Sequence, residues 1–253
     1  MEIREYLERI EIHKQLEPHY AFLAELQQSH LLHVPFENLD VVHKREIVLD
    51  PQRLFEKIVQ KKRGGFCYEL NGAFAWLLNK LGYQVTLLSA MVYNGEVNDF
   101  GPEFDHMTLL VQAGGSYLVD VGFGDSFRTP LPMPRGRVED ISGSYRIYKS
   151  PNNADHIYEL HRHNEHGWQP QYRFSTTSRQ LADFEAMCEY HQTSPESSFT
   201  QRTVVTRATL YGRVTLTENN LTITEGDEKS MHPLASNKEF EQLLQEYFNM
   251  QVA

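Results

Sequence analysis

Apolar residues recur at helical spacing through the first third of the chain. Ile3, Tyr6, Leu7 and Ile10 fall on one helix face, and Phe22, Leu23 and Leu26 do the same in a second helix that opens at Glu17-Pro18. Asp50-Pro51 supplies an N-cap and a proline at the first helical position, ahead of a stripe of Leu54, Phe55, Ile58 and Val59. That helix is expected to fail near Gly64-Gly65. A fourth stripe, Leu70, Phe74, Leu77, Leu78 and Leu81, predicts a helix from about Cys67 to Leu81, with Gly82 at the C′ position. Residues 1–83 therefore read as a small helical bundle.

From Gln84 the period changes. VTLLSAMVY, HMTLLVQ, SYLVDVGF, SYRIYKS, HIYELHRH and WQPQYRFS are short β-rich runs separated by turn residues, which predicts an antiparallel sheet or barrel over 84–190. The polar stretch YHQTSPESSFTQ, Tyr190 to Gln201, reads as a connection. It opens a last region, 191–253, with two or three strands, such as TVVTRATL and NLTITEG. A final helix follows, opened by a capping box from Ser236 to Glu239 and carrying Phe240, Leu243, Leu244 and Phe248. The fold class is α+β.

Composition narrows the function classes. A chain of 253 residues, 40% of them hydrophobic, can bury a large core, as one big domain or two to three small ones. The formal net charge of −10 argues against broad nucleic-acid affinity, while leaving room for a local basic pocket. Charges interrupt the opening MEIREYLERIEIHKQL where a secretory signal needs an apolar run, and AFAWLL is far shorter than the ~20 residues of a spanning helix. Two cysteines make no disulfide framework. The expectation is a cytoplasmic protein without membrane or nucleic-acid partners.

One of those cysteines, Cys67, stands at a predicted helix start behind Gly64 and Gly65. Backbone N–H groups and the helix dipole favour a thiolate there, and glycines let the chain turn and a substrate approach. The same pattern also fits a small buried hydrophobe behind a helix stop. A nucleophilic cysteine needs a base and a group that orients it. The hairpin FDHMTLLVQAGGSYLVDVGFG offers His106 at the start of one strand and Asp120 near the end of the next. Asp120 between two valines is costly to bury unless hydrogen-bonded. Register decides whether they meet. A symmetric even loop pairs residue 120 with 109 and puts them on opposite faces. A three-residue loop, Ala113 to Gly115 with a left-handed glycine, pairs 120 with 108 and makes His106 a diagonal neighbour roughly 7 to 8 Å away. The odd loop is the expectation.

Two other features are set aside. His156, His161, His163 and His166 lack a completing cysteine or carboxylate at a metal-ligand spacing and read as a solvent-facing hairpin, so no metal is expected. Cys188 follows neither a glycine-rich turn nor a helix start and reads as structural.

RGGFCYELN, Arg63 to Asn71, resembles the RGGxCxELN signature of the arylamine N-acetyltransferases, and HVPFENLDV, His33 to Val41, resembles their H-x-P-F-E-N-L motif. VDVGFG, Val119 to Gly124, and YHQTSPESSFT, Tyr190 to Thr200, are similar to two further family segments in the same order. The resemblance implies an N-terminal helical bundle, a central antiparallel β-barrel and a C-terminal α/β lid, with a core like that of papain-type and transglutaminase-type cysteine enzymes. It assigns catalysis to Cys67, His106 and Asp120, with acetyl-CoA as co-substrate and no metal. Acetyl passes through Cys67 in ping-pong order to arylamines, arylhydroxylamines or arylhydrazines. Phe123, Phe36, Val92, Gly122 and Gly124 are the candidate substrate contacts, Arg63 and Glu37 supports of the site. Arg128, Arg135 and Arg137 are placed to meet CoA phosphates or to form a solvated loop. Amide synthesis, and hydrolysis or transglutaminase-like chemistry, remain as alternatives on the same three residues.

Overall fold

The computed structural model describes residues 1–149 and 156–251. Its first third is helical: α1 (Ile3–Arg9), α2 (Tyr20–His33), a two-residue strand β1 (Phe36–Glu37), α3 (Leu39–Val42), α4 (Pro51–Phe55) and α5 (Cys67–Lys80). α2 starts after Glu17-Pro18, because the His19 ring accepts the Phe22 N–H at 3.1 Å and serves as its cap. At α4, Asp50 accepts the Arg53 N–H at 3.0 Å. The helix then widens into a π-helical turn, Glu56–Gln60, before Gly64-Gly65. Gly82 ends α5 at φ +92°. Ile10, Phe22, Phe55, Ile58, Phe74 and Leu77 share one fully buried apolar core.

The glycine pair has a different task from the one the sequence suggests. Neither Gly64 nor Gly65 has positive φ. A Cβ on Gly64 would stand 2.0 Å from the Pro35 carbonyl oxygen, and one on Gly65 would stand 2.6 Å from Glu69 Oε2. The pair allows close approach of β1 and of a carboxylate.

The middle strands are β2 (Gln84–Asn94), β3 (Asp99–Phe100), β4 (His106–Gln112), β5 (Ser116–Val119), β6 (Leu131–Pro132), β7 (Arg137–Asp140), β8 (Gly143–Lys149), β9 (Ile157–Asn164) and β10 (Gly167–Ser175). They form an antiparallel sheet in the order β6-β5-β4-β2-β10-β9-β8-β7, with β3 on β2. The edge strands β6 and β7 touch, so the sheet is a nearly closed barrel around Leu88, Leu118, Phe127, Tyr145 and Tyr172. Ser150, at the end of the SYRIYKS run, lies outside the described residues.

The stretch read as a connection is largely helical. α6 (Glu185–Thr193) runs through its first residues and α7 (Ser198–Gln201) ends it, with Ser197 capping α7. Its polar residues cover an exposed face, while Cys188, His191 and Ser197 turn inward. A boundary at residue 190 falls inside α6. Beyond it come β11 (Val204–Thr209), β12 (Gly212–Thr217), β13 (Asn220–Glu225), β14 (Glu228–Pro233) and α8 (Asn237–Phe248). Four strands stand where two or three were expected, since β14, EKSMHP, is exposed at every position and shows no alternation. The second sheet has the order β1-β11-β12-β13-β14, with Phe36 opposite Thr206. α8 lays Leu244 and Phe248 against Val205 and Leu216. Among the described residues no helix is long and apolar enough to cross a membrane.

Because β1 and the α5 start are packed through Gly64, Gly64→Ala is expected to lower stability by roughly 1–3 kcal/mol, the usual range for overpacking. Thermal unfolding checks this: the expected result is a Tm several degrees lower, and an unchanged Tm would contradict the close packing.

Candidate active site

β4 and β5 pair Gln112 with Ser116 and Leu110 with Leu118. The loop is thus the three residues 113–115, with Gly114 at φ +75°, as the odd-loop reading expects. Asp120, the first residue past β5, falls level with Thr108, and His106 becomes its diagonal neighbour. His106 Nε2 lies 2.7 Å from Asp120 Oδ2. Both side chains are almost fully buried.

Asp120 is held on every side. Oδ2 also accepts the Tyr172 hydroxyl at 3.0 Å, while Oδ1 accepts Asn71 Nδ2 at 3.0 Å and the Gly122 N–H at 2.9 Å. Burial by itself raises the pKa of this carboxyl. The charge and hydrogen bond of His106, with those of Asn71 and Gly122, outweigh it and hold the group below the usual carboxylate range. Asn71 additionally donates to Met107 O at 2.7 Å and accepts the Val121 N–H at 3.0 Å, tying α5 to both arms of the hairpin. Neither Asn71 nor Tyr172 is singled out by sequence. Asn71 carries a usable signal, four residues after Cys67 and therefore on its helix face. Tyr172 carries none, because it follows an irregularity in β10 between Pro170 and Tyr172.

Cys67 begins α5 and is 3% exposed. A Cβ on Gly122 would stand 2.8 Å from Cys67 Cα, so this position must be glycine for the loop after Asp120 to lie against the helix start. Burial pushes the Cys67 thiol pKa well up, against the helix start that favours a thiolate and the lowering effect of a hydrogen bond from the Met107 backbone. Such a thiol reacts only if a base takes its proton. His106 lines the same cavity of about 620 Å³ as Cys67. With Nε2 committed to Asp120, Nδ1 is the ring nitrogen left for that exchange. His106, Phe123 and Tyr172 pack with ring centroids 5.1 Å apart in all three pairs, which fixes the imidazole plane.

Phe36, Val92, Gly122, Phe123 and Gly124 line this cavity. Arg63 and Glu37 do not. They belong to an ion network beneath the α5 start, where Arg63 Nη2 lies 2.7 Å from Glu37 Oε1 and 3.1 Å from Asp40 Oδ1. Lys57 Nζ adds contacts of 2.7 Å to Glu69 and 2.8 Å to Asp40. Glu69 Oε2 accepts the Phe66 N–H at 3.1 Å, so the network caps the helix that presents Cys67. Sequence reading missed Asp40, Lys57 and Glu69 as members.

Of the three arginines after the glycine loop, Arg135 and Arg137 are exposed, as the solvated-loop reading expects, and Arg128 is not. Arg128 is buried and donates to Ser142 Oγ and Thr209 O, both at 2.6 Å, which removes it from ligand binding. Arg137 lies over the Trp168 ring at 5.4 Å, and neither it nor Arg135 reaches the cavity. The cations on the cavity wall are instead Arg202, Arg213 and Lys229, from the C-terminal region. In the histidine-rich hairpin His156, His163 and His166 are exposed, as expected, while His161 is mostly buried, 3.0 Å from Glu159. Among the described residues no three His, Cys, Asp or Glu side chains are grouped to hold a metal. Cys188 is buried beside Phe184 and receives Gln192 Nε2 at 3.4 Å.

The sequence profile of the N-acetyltransferase family matches residues 20–253. An arylamine N-acetyltransferase of Mycolicibacterium smegmatis is 34% identical over 230 residues, covering 88% of this chain and 82% of that protein. The solved M. smegmatis arylamine N-acetyltransferase superposes with a TM-score of 0.91 at 28% identity, over 100% of this chain and 93% of that one. The Mycobacterium marinum arylamine N-acetyltransferase in complex with CoA gives 0.88 at 28% identity, over 98% and 93%. With profile, sequence and fold agreeing over nearly its whole length, the chain belongs to the arylamine N-acetyltransferase family.

Proposed function

We propose that this chain moves an acetyl group from acetyl-CoA to an aromatic amine, hydroxylamine or hydrazine nitrogen by way of Cys67. The observation that carries the reading is a histidine paired with a buried aspartate, His106 with Asp120, sharing one cavity with a thiol at a helix start. His106 Nδ1 takes the thiol proton, and the sulfur attacks the thioester carbonyl. The carbonyl carbon–CoA sulfur bond breaks, the proton passes to the departing thiolate, and acetyl-Cys67 remains. The amine nitrogen then attacks the same carbonyl, His106 takes its proton, and the Cys67 sulfur leaves to regain a proton. Asp120 stabilises the imidazolium formed in each half and keeps the ring oriented. The relative from M. marinum was solved with CoA, and here Arg202 and Lys229 on the cavity wall, beside an Arg213 paired with Asp125, are placed to meet CoA phosphates. Phe36, Val92 and Phe123 form an apolar side suited to an aryl ring.

Incubation with acetyl-CoA alone is expected to add about 42 Da at Cys67, the mass of an acetyl group replacing a proton. Protein without that adduct points to hydrolysis or another acyl chemistry on the same residues. Cys67→Ala is expected to abolish transfer to an aryl hydrazine, and substantial residual acetylation refutes the scheme.

Asp120→Asn keeps the shape but offers Nε2 a different partner; kcat is expected to fall roughly 10²–10⁴-fold. Wild-type levels of turnover would show that orientation by the carboxylate is not needed. Since the Asp120 pKa is held below the usual carboxylate value, the anion persists as pH falls. The rate profile of the wild type is therefore expected to show no inflection from Asp120 above about pH 4. An inflection above that pH that disappears in Asp120→Asn would contradict this.

A further inference from the structure

The cavity that holds Cys67 and His106 is also lined by His191, Asp105 and Asp125, of which Asp125 is paired with Arg162 and Arg213. Asp105 directly precedes His106, and His191 comes from the end of α6. His191 is 6% exposed, and its Nε2 lies 3.2 Å from Asp105 Oδ1. That nitrogen is buried without a well-aligned hydrogen bond among the described residues. The other ring nitrogen, Nδ1, lies 3.0 Å from Ser197 Oγ. The Asp105 carboxylate opposite Nε2 only accepts, which favours the tautomer with the proton on Nε2 and has the Ser197 hydroxyl donate to Nδ1. The neutral ring then carries its proton on Nε2, facing Asp105. Tyr68, next to Cys67, stacks on the imidazole at 6.1 Å, and Phe199 meets it edge-on at 5.2 Å.

Acetyl transfer through Cys67, His106 and Asp120 makes no use of this second pair. Its chemistry bears on the sulfur all the same. A carboxylate at the wall of a poorly solvated cavity opposes a second negative charge there, and a donor facing the carboxylate weakens that opposition.

We propose that Asp105 and His191 are positioning residues that set how readily Cys67 ionises, Asp105 opposing the thiolate and His191 relieving that opposition. The inference rests on Cys67 as the nucleophile. Burial is the main cause of the raised thiol pKa, and Asp105 adds to it more strongly than Asp120 does. His106 and Asp120 from the hairpin, Tyr68 from α5, and Cys188 and Tyr190 from α6 also face the sulfur or the His191 ring. The cations Arg202, Arg213 and Lys229 and the carboxylate of Asp125, paired with Arg213, lie on the same cavity wall. All of these stay unchanged in the test variants, so a shift reports the pair.

The test is the pH dependence of Cys67 alkylation by iodoacetamide in the full chain, followed on the Cys67 peptide by mass spectrometry. Asp105→Asn is expected to move the half-point of reaction down by at least about half a pH unit, a roughly threefold gain in thiolate at a given pH. His191→Phe keeps a ring between Tyr68 and Phe199 but removes the donor, and is expected to move the half-point up. His191→Gln, which retains a donor, is expected to fall between His191→Phe and wild type. The double variant Asp105→Asn/His191→Phe is expected to match Asp105→Asn alone, since His191 then has no charge to offset. Half-points that do not move, that move together, or that add in the double variant overturn the proposal. If His191→Phe does not fold, Asp105→Asn decides by itself: a half-point unmoved or raised overturns it. Alkylation of the free thiol involves no acetyl transfer, so failure here is distinct from failure of Cys67→Ala to abolish transfer.

Discussion

The site depends on one buried carboxylate being fully satisfied. Asp120 is 1% exposed, and a lone charge there is costly enough that the group would sooner take up a proton. Four donors prevent this, each from a different part of the chain: His106 from β4, Asn71 from α5, Tyr172 from β10, and Gly122 from the loop beyond Asp120 itself. Holding the charge therefore brings bundle and barrel into register. The contacts that keep Asp120 ionised are the ones that aim His106.

A second set of buried charges does the corresponding work for the sulfur. Glu69 fixes the first turn of α5 through the Phe66 N–H and is itself held by Lys57, which also reaches Asp40, the partner of Arg63. Removing one member of such a network leaves the others buried without a counter-charge, so its parts stand or fall together. Gly64 and Gly65 belong to this arrangement by size. They let the Pro35 carbonyl and the Glu69 carboxylate come within reach of a backbone that a methyl group would push away.

Much of this was legible in the sequence, and the limits have physical reasons. Helices with one apolar face and a polar cap, such as α4 behind Asp50, announce themselves through spacing. The His106–Asp120 register was legible because alternation and an odd glycine loop leave one solution that satisfies a buried aspartate. Glycine is ambiguous in sequence, since freedom at φ and lack of bulk look identical, and only the neighbours of Gly64 separate them. α6 and α7 were hidden because their outward faces are polar. Neither a ligand contact nor a solvated loop describes Arg128, because a buried arginine that donates to backbone carbonyls leaves no local pattern. Tyr172 reaches Asp120, and His191 the cavity, from elements distant in sequence from Cys67, and no spacing rule links them to it.

The pairing of β1 with β11 carries a consequence for how the protein is made. Phe36 and Glu37 leave the ribosome early, but their partners Thr206 and Val205 come some 170 residues later. Until β11 emerges, β1 has an open edge, and one wall of the Cys67 cavity is absent. A nascent chain can thus fold its bundle and present the thiol before the cations and threonines of the C-terminal sheet exist to enclose it. Synthesis order makes this enzyme an exposed cysteine first and a cavity last, with contacts between the two ends of the chain completing it.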